Sequence, residues 1–147
     1  MRTLYLAAVW LHVVGAMIWI GGMVVAAFAV LPPIRHLEEP QRTSFRWRFF
    51  GRFRAIMWSA FVVVGLSGLL VLAMRGVGPG NLLDPAWHST AFGRVMTLKI
   101  GLYAVAGTLT FLHERIGSRA QARVLARLVL ALGLVTVLLA IVLIRGS

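Results

Sequence analysis

A chain of 147 residues that is 60% hydrophobic, with mean hydropathy +0.89 and a formal net charge of +11, is too apolar for an ordinary soluble domain and reads as one polytopic membrane domain. It contains no cysteine, which excludes disulfides, thiolate metal sites, iron–sulfur clusters and thiol nucleophiles. Its arginines gather beside apolar runs, so the charge argues for membrane orientation and against nucleic-acid binding.

The first apolar run spans 4–31. As a helix it is about 42 Å long, against a hydrocarbon core of about 30 Å. It is about twice the length of a signal-peptide core, so a retained span is expected despite Arg2 and the cleavage-like Ala27-Phe28-Ala29. Pro32-Pro33 should stop it, because two donors are lost and the preceding residue is restricted. Tyr5 and Trp10 suit an interface belt.

Within this run the single strongly polar ring is that of His12. Ionisable groups at membrane depth are costly and face a bundle interior, where they serve a ligand, proton or ion. The alternative is a ring that only hydrogen-bonds a neighbouring helix. Trp19 lies two turns further on the same face, with Gly15 and Gly22 beside that stripe. Small residues there admit the close approach of a helix or a flat ligand.

After the first run the composition inverts, with Arg35, Arg42, Arg46, Arg48, Arg52 and Arg54 against Glu38 and Glu39. Phe45, Phe49 and Phe53 recur every fourth residue, which predicts a basic interfacial segment over 42–54 that anchors on anionic lipid. A second span is expected over 55–74, where Ser59, Gly65, Ser67 and Gly68 form a small-residue surface suited to helix packing. Residues 75–91, rich in Gly and Pro and carrying Trp87 and His88, read as an exposed loop.

The third span is expected over 92–113, with Lys99, Tyr103, Ala106, Thr110 and His113 on one stripe. Lys99 can snorkel to the interface or face the bundle. Arg115, Arg119, Arg123 and Arg127 follow, and the fourth span, 124–144, reads as scaffold facing lipid. The segments after the first and third spans carry ten arginines, and the opposite side has Arg2, Arg75, Arg94 and Arg145. By the positive-inside bias both termini and the His88 loop should be extracytoplasmic. His12 and Lys99 then occupy one outer layer, with His113 about 21 Å deeper than Lys99.

The ordered set of His12 with Trp19-Ile20-Gly21-Gly22, Gly65-Leu66-Ser67-Gly68, and Phe92-Gly93-Arg94 followed by Lys99 resembles the CopD family of bacterial inner-membrane proteins. It more distantly resembles the four-helix HemJ family. The first likeness implies copper uptake or tolerance, with a copper-binding periplasmic protein as partner. The second, carried by a first-helix histidine and a third-helix lysine, implies heme b and protoporphyrinogen oxidation. The chain differs from HemJ in Gly21-Gly22 and in lacking a Pro-Arg pair after the first helix, and it is shorter than the usual CopD protein.

Copper(I) prefers soft sulfur ligands with imidazole as a common partner, and the six methionines are scattered. A copper site would draw on His12 and Met96, with His88 as a further ligand. Heme b asks for an axial imidazole, an apolar slot and cations near its propionates. His12 supplies the first, while Gly15, Gly21 and Gly22 give room and Trp19 or Tyr103 lines the ring. Arg75 and Arg94 suit the propionates by charge-assisted hydrogen bonds. Lys99, Met96 or His88 is then the candidate second axial ligand.

The expectation is therefore an all-α, polytopic four-helix membrane bundle in a bacterial inner membrane. Its heme b site lies in the extracytoplasmic half and serves electron transfer or oxidation of a membrane-accessible substrate, with a redox partner. CopD-type copper handling and a non-catalytic assembly subunit are the alternatives, and a homo-oligomer is left open. A hydrolase is disfavoured, because no acidic residue lies within a span and no Ser-His-Asp or metal-water constellation is visible.

Overall fold

The computed structural model describes residues 2–115 and 119–145, and among them the chain is all-α. In chain order it forms α1 (Arg2–Val25), a π-helical turn (Ala26–Val30), α2 (Leu31–Ile34), α3 (Glu39–Met74), a 3-10 turn (Pro79–Leu83), α4 (Pro85–Ser89), α5 (Ala91–Arg115) and α6 (Arg119–Arg145). Four helical stretches are long and apolar enough to cross a membrane: Arg2–Ile34, Glu39–Met74, Ala91–Leu112 and Val124–Val142. Their outward faces are rich in Leu, Val and Ile, as contact with lipid requires. The chain divides into two units, Met1–Gly76 and Val77–Ser147.

The first unit is an antiparallel helical hairpin. Tyr5 meets Arg75, His12 meets Val64, Trp19 meets Phe61, and Gly22 faces Met57, so each step forward along α1 is a step back along α3. The same register continues to the turn, where Ile34 and Phe45 border one shallow groove. The seam sets small residues around one large one at near-heptad spacing, with Ala8, Gly15, Trp19 and Ala26 buried on one side and Ala60, Val64 and Ser67 on the other. Gly15 lets the helices approach closely there, since a methyl in its place would stand 3.0 Å from Val64 Cγ2 and 3.3 Å from Val63 Cγ1.

Pro32-Pro33 does not stop the first helix at Leu31, as expected from the sequence. The backbone widens into the π turn, in which the Leu31 N–H bonds the Ala26 carbonyl, and then continues to Ile34. The helix then ends at Ile34, one residue past the second proline, so the pair stops it three residues later than expected. The basic segment 42–54, expected as an interfacial helix lying in or leading into the membrane, is helical and leads directly into the second span. It is the first part of the 36-residue α3, which starts after a reverse turn closed by Arg35, His36 and Leu37 N–H bonds to Pro32, Pro33 and Ile34 carbonyls. At its far end α3 terminates on Gly76, whose φ of +75° is a left-handed conformation that glycine adopts without penalty.

The second unit pairs α5 with α6 and carries the segment before α5. Residues 75–91 are more ordered than a loop. Asp84 caps α4 by accepting the Ala86 N–H at 2.8 Å, and Thr90 caps α5 by accepting the Gly93 N–H at 2.9 Å. Trp87 packs edge-on against Phe92 and donates its indole N–H to Thr97 at 3.1 Å. Ala106 and Val129 are buried, and the hydroxyls of Thr108, Thr110 and Thr136 donate to carbonyls one turn back, as apolar surroundings demand. Helix α6 starts at Arg119, about a turn earlier than the apolar run itself, because arginines are good helix formers.

Candidate functional site: the His12 ring in the first hairpin

His12 faces the second helix of its own hairpin. Its Nδ1 lies 2.9 Å from the Val64 carbonyl oxygen and 3.3 Å from Ser67 Oγ. Ser67 is 6% exposed, and its hydroxyl donates to the Val63 carbonyl. The Ser67 oxygen is therefore an acceptor toward the ring. A carbonyl and a hydroxyl oxygen together assign the proton to Nδ1, so the neutral tautomer carries its lone pair on Nε2. Gly68 makes this possible: a Cβ there would stand 3.0 Å from His12 Cε1 and 3.2 Å from Nδ1.

The stripe expected on α1 exists, and its partner is a helix. Gly15 and Gly22 receive Val64 and Met57, and Trp19, 3% exposed, stacks edge-to-face on Phe61 with centroids 5.1 Å apart. The space those glycines provide is filled by side chains of α3, while Gly21 lies on the opposite face, where a methyl would meet no neighbour within 4 Å. One nitrogen of His12, Nδ1, thus takes part in the packing of α1 on α3.

The expected cations have structural partners of their own. Arg75 donates from Nε (3.0 Å) and Nη2 (2.6 Å) to the Tyr5 hydroxyl, with its guanidinium over the Tyr5 ring, and so closes the open end of the first hairpin. Arg94 donates from Nη1 to the Ser89 and His88 carbonyls at 2.9 and 3.3 Å, binding the C-terminal end of α4. His88 donates from Nε2 to the Leu82 carbonyl at 2.9 Å, a bond within its own loop.

Lys99, Tyr103 and Met96 are half-buried on α5, in the second unit. Among the described residues Lys99 makes no hydrogen bond or ion pair. The side chain of His113 lies outside the described residues. No group of three or more His, Cys, Asp or Glu side chains able to hold a metal ion occurs among the described residues. Sequence reasoning missed Ser67 and Gly68 as partners of His12 and assigned them to packing. The available signal was the antiparallel register, since only that brings 67 and 68 opposite 12.

Comparison with protein-family models, with curated proteins and with solved structures finds no match to this chain.

Proposed function

We propose that this protein binds heme b through His12 and uses it for electron transfer or for oxidation of a membrane-accessible substrate, working with a redox partner. The observation that carries the reading is the bond from Nδ1 to the Val64 carbonyl. A backbone acceptor on one imidazole nitrogen orients metal-ligating histidines, fixes their tautomer and raises the basicity of the other nitrogen.

Of the groups that heme asks for, the first hairpin offers the imidazole, since α3 fills the space at Gly15 and Gly22 and Arg75 bonds Tyr5. His12 would be the axial ligand through Nε2, and bound heme would supply a one-electron couple within the apolar layer. This chain's own residues do the rest. Val64 and Ser67 hold the ring in rotation, Gly68 leaves it space, and the aliphatic surroundings exclude water. The reading includes an inner-membrane location with both termini extracytoplasmic, which rests on the arginine count of ten against four.

The test is the visible spectrum of detergent-purified protein, oxidised and then dithionite-reduced, with metal analysis on the same sample. A Soret band with reduced α and β bands is expected, and it should be lost in His12→Ala. A band that persists in that variant would overturn the axial assignment. A colourless protein containing copper, or containing no metal, would replace the reading by copper handling or by an assembly role.

A further inference from the structure

The second span is longer than a membrane requires. Helix α3 has 36 residues, about 54 Å, of which the apolar part from 55 to 74 crosses about 30 Å. With that apolar part across the hydrocarbon, the first four turns would stand beyond it. On one flank of this stub Phe45 stacks on Phe49 and Phe49 on Phe53, with centroids 5.6 and 5.4 Å apart and planes 14° and 19° from parallel. Arg48 and Arg52 stand beside those rings, and these side chains border a single shallow groove together with Ser44 and Ile56. A ladder of two guanidiniums thus runs next to a ladder of three rings, and the groove opens at Ile56 on the hydrocarbon border.

The charges on this flank are uncompensated. Arg42 pairs with Glu39, but Arg46, Arg48, Arg52 and Arg54 make no ion pair among the described residues. Arg48 and Arg52 are one turn apart, a spacing at which like charges repel unless an anion bridges them. We propose that the groove binds an anionic phospholipid of the adjoining leaflet. Its phosphodiester bridges Arg48 and Arg52, its glycerol and first methylenes lie on Phe49 and Phe53, and its chains pass Ile56 into the bilayer. Guanidinium recognises phosphate through paired N–H donors, and at the bilayer surface that attraction is little screened. The amphiphilic groove, cationic on one wall and aromatic on the other, selects a lipid over a soluble phosphate.

The experiment reconstitutes the purified chain in phosphatidylcholine vesicles containing trace spin-labelled phosphatidylglycerol or spin-labelled phosphatidylcholine. Electron paramagnetic resonance then measures the immobilised fraction of each. The expected result is a preference for phosphatidylglycerol of about fivefold or more. Arg48→Gln/Arg52→Gln should remove most of it, Arg48→Gln alone should lower it partway, and Arg46→Gln/Arg54→Gln should leave it. Circular dichroism checks the fold, and the single variant serves if the double one does not fold. The proposal is overturned if the Arg48/Arg52 variants keep the full preference, or if Arg46→Gln/Arg54→Gln lowers it equally, which would mean a diffuse basic surface. Displacement of the labelled lipid by inorganic phosphate would also overturn it, in favour of a site for soluble phosphate.

Discussion

At the scale of single residues, the polar chemistry of the first hairpin converges on one imidazole whose proton is assigned by its neighbours. Val64 offers a backbone carbonyl, which substitution does not remove, whereas Ser67 Oγ is the longer contact at 3.3 Å. Ser67→Ala should therefore cost about 1 kcal/mol or less, because the stronger acceptor stays in place. Gly68→Ala is the more damaging change, because its methyl would enter the space of the ring edge at 3.0 Å. On the proposed heme reading, purified Gly68→Ala protein is expected to retain clearly less heme per chain than Ser67→Ala, measured by the ratio of Soret to protein absorbance. Equal retention would mean that ring orientation does not control the site. His12 was conspicuous in the sequence as a lone ring in an uncharged run, and the structure shows that ring bonded to α3. Ser67 and Gly68 were not conspicuous, because hydropathy ranks them as ordinary small residues and only the pairing of helices reveals what they face.

At the scale of elements, the apolar runs located all four spans, since length against bilayer thickness is a robust criterion. The boundaries were less legible, for two physical reasons. A helix does not end where its polarity changes, so α3 runs unbroken through the basic segment into the apolar one. Prolines also do not end a helix at once: after the π turn the first one runs on to Ile34. The segment 77–90 hid its order because its bonds are local caps rather than a periodic pattern, and Gly93 shows how tight it is. A Cβ on Gly93 would collide with the Trp87 carbonyl oxygen and press on Thr90 Oγ1. Since a backbone carbonyl cannot rotate away as a side-chain tip can, Gly93→Ala should destabilise the start of α5 by about 1–3 kcal/mol. The expected readout is faster amide hydrogen exchange over 86–94, with exchange in α1 and α3 unchanged; unchanged exchange over 86–94 would refute the close contact.

At the scale of the whole molecule, the charge of +11 is an orientation signal carried by position. The arginines between the first two spans lie on the turn and the stub of α3, and those between the last two lie around 115–127. If all four stretches cross the bilayer, these two clusters share a side, and the short segment 75–91 with Arg75 at its start and Arg94 just beyond it lies on the other. Connections this short obey the positive-inside bias, whereas long domains escape it. Arg2 opposes the trend with one charge at the first helix, but the six arginines that follow that helix act on the same segment and outweigh it. Alkaline phosphatase fused after Ser89 should accordingly be active and the same reporter fused after Leu37 inactive, with a green fluorescent protein showing the converse. The reversed pattern would move His12 to the cytoplasmic half, because it sits near the N-terminal end of its span. It would change the compartment from which a redox partner must approach while leaving the bond to Val64 as it is. The two questions are separable on this ground: the packing of the His12 ring is set within one hairpin, whereas the fusions test only which side of the membrane that end of the hairpin faces.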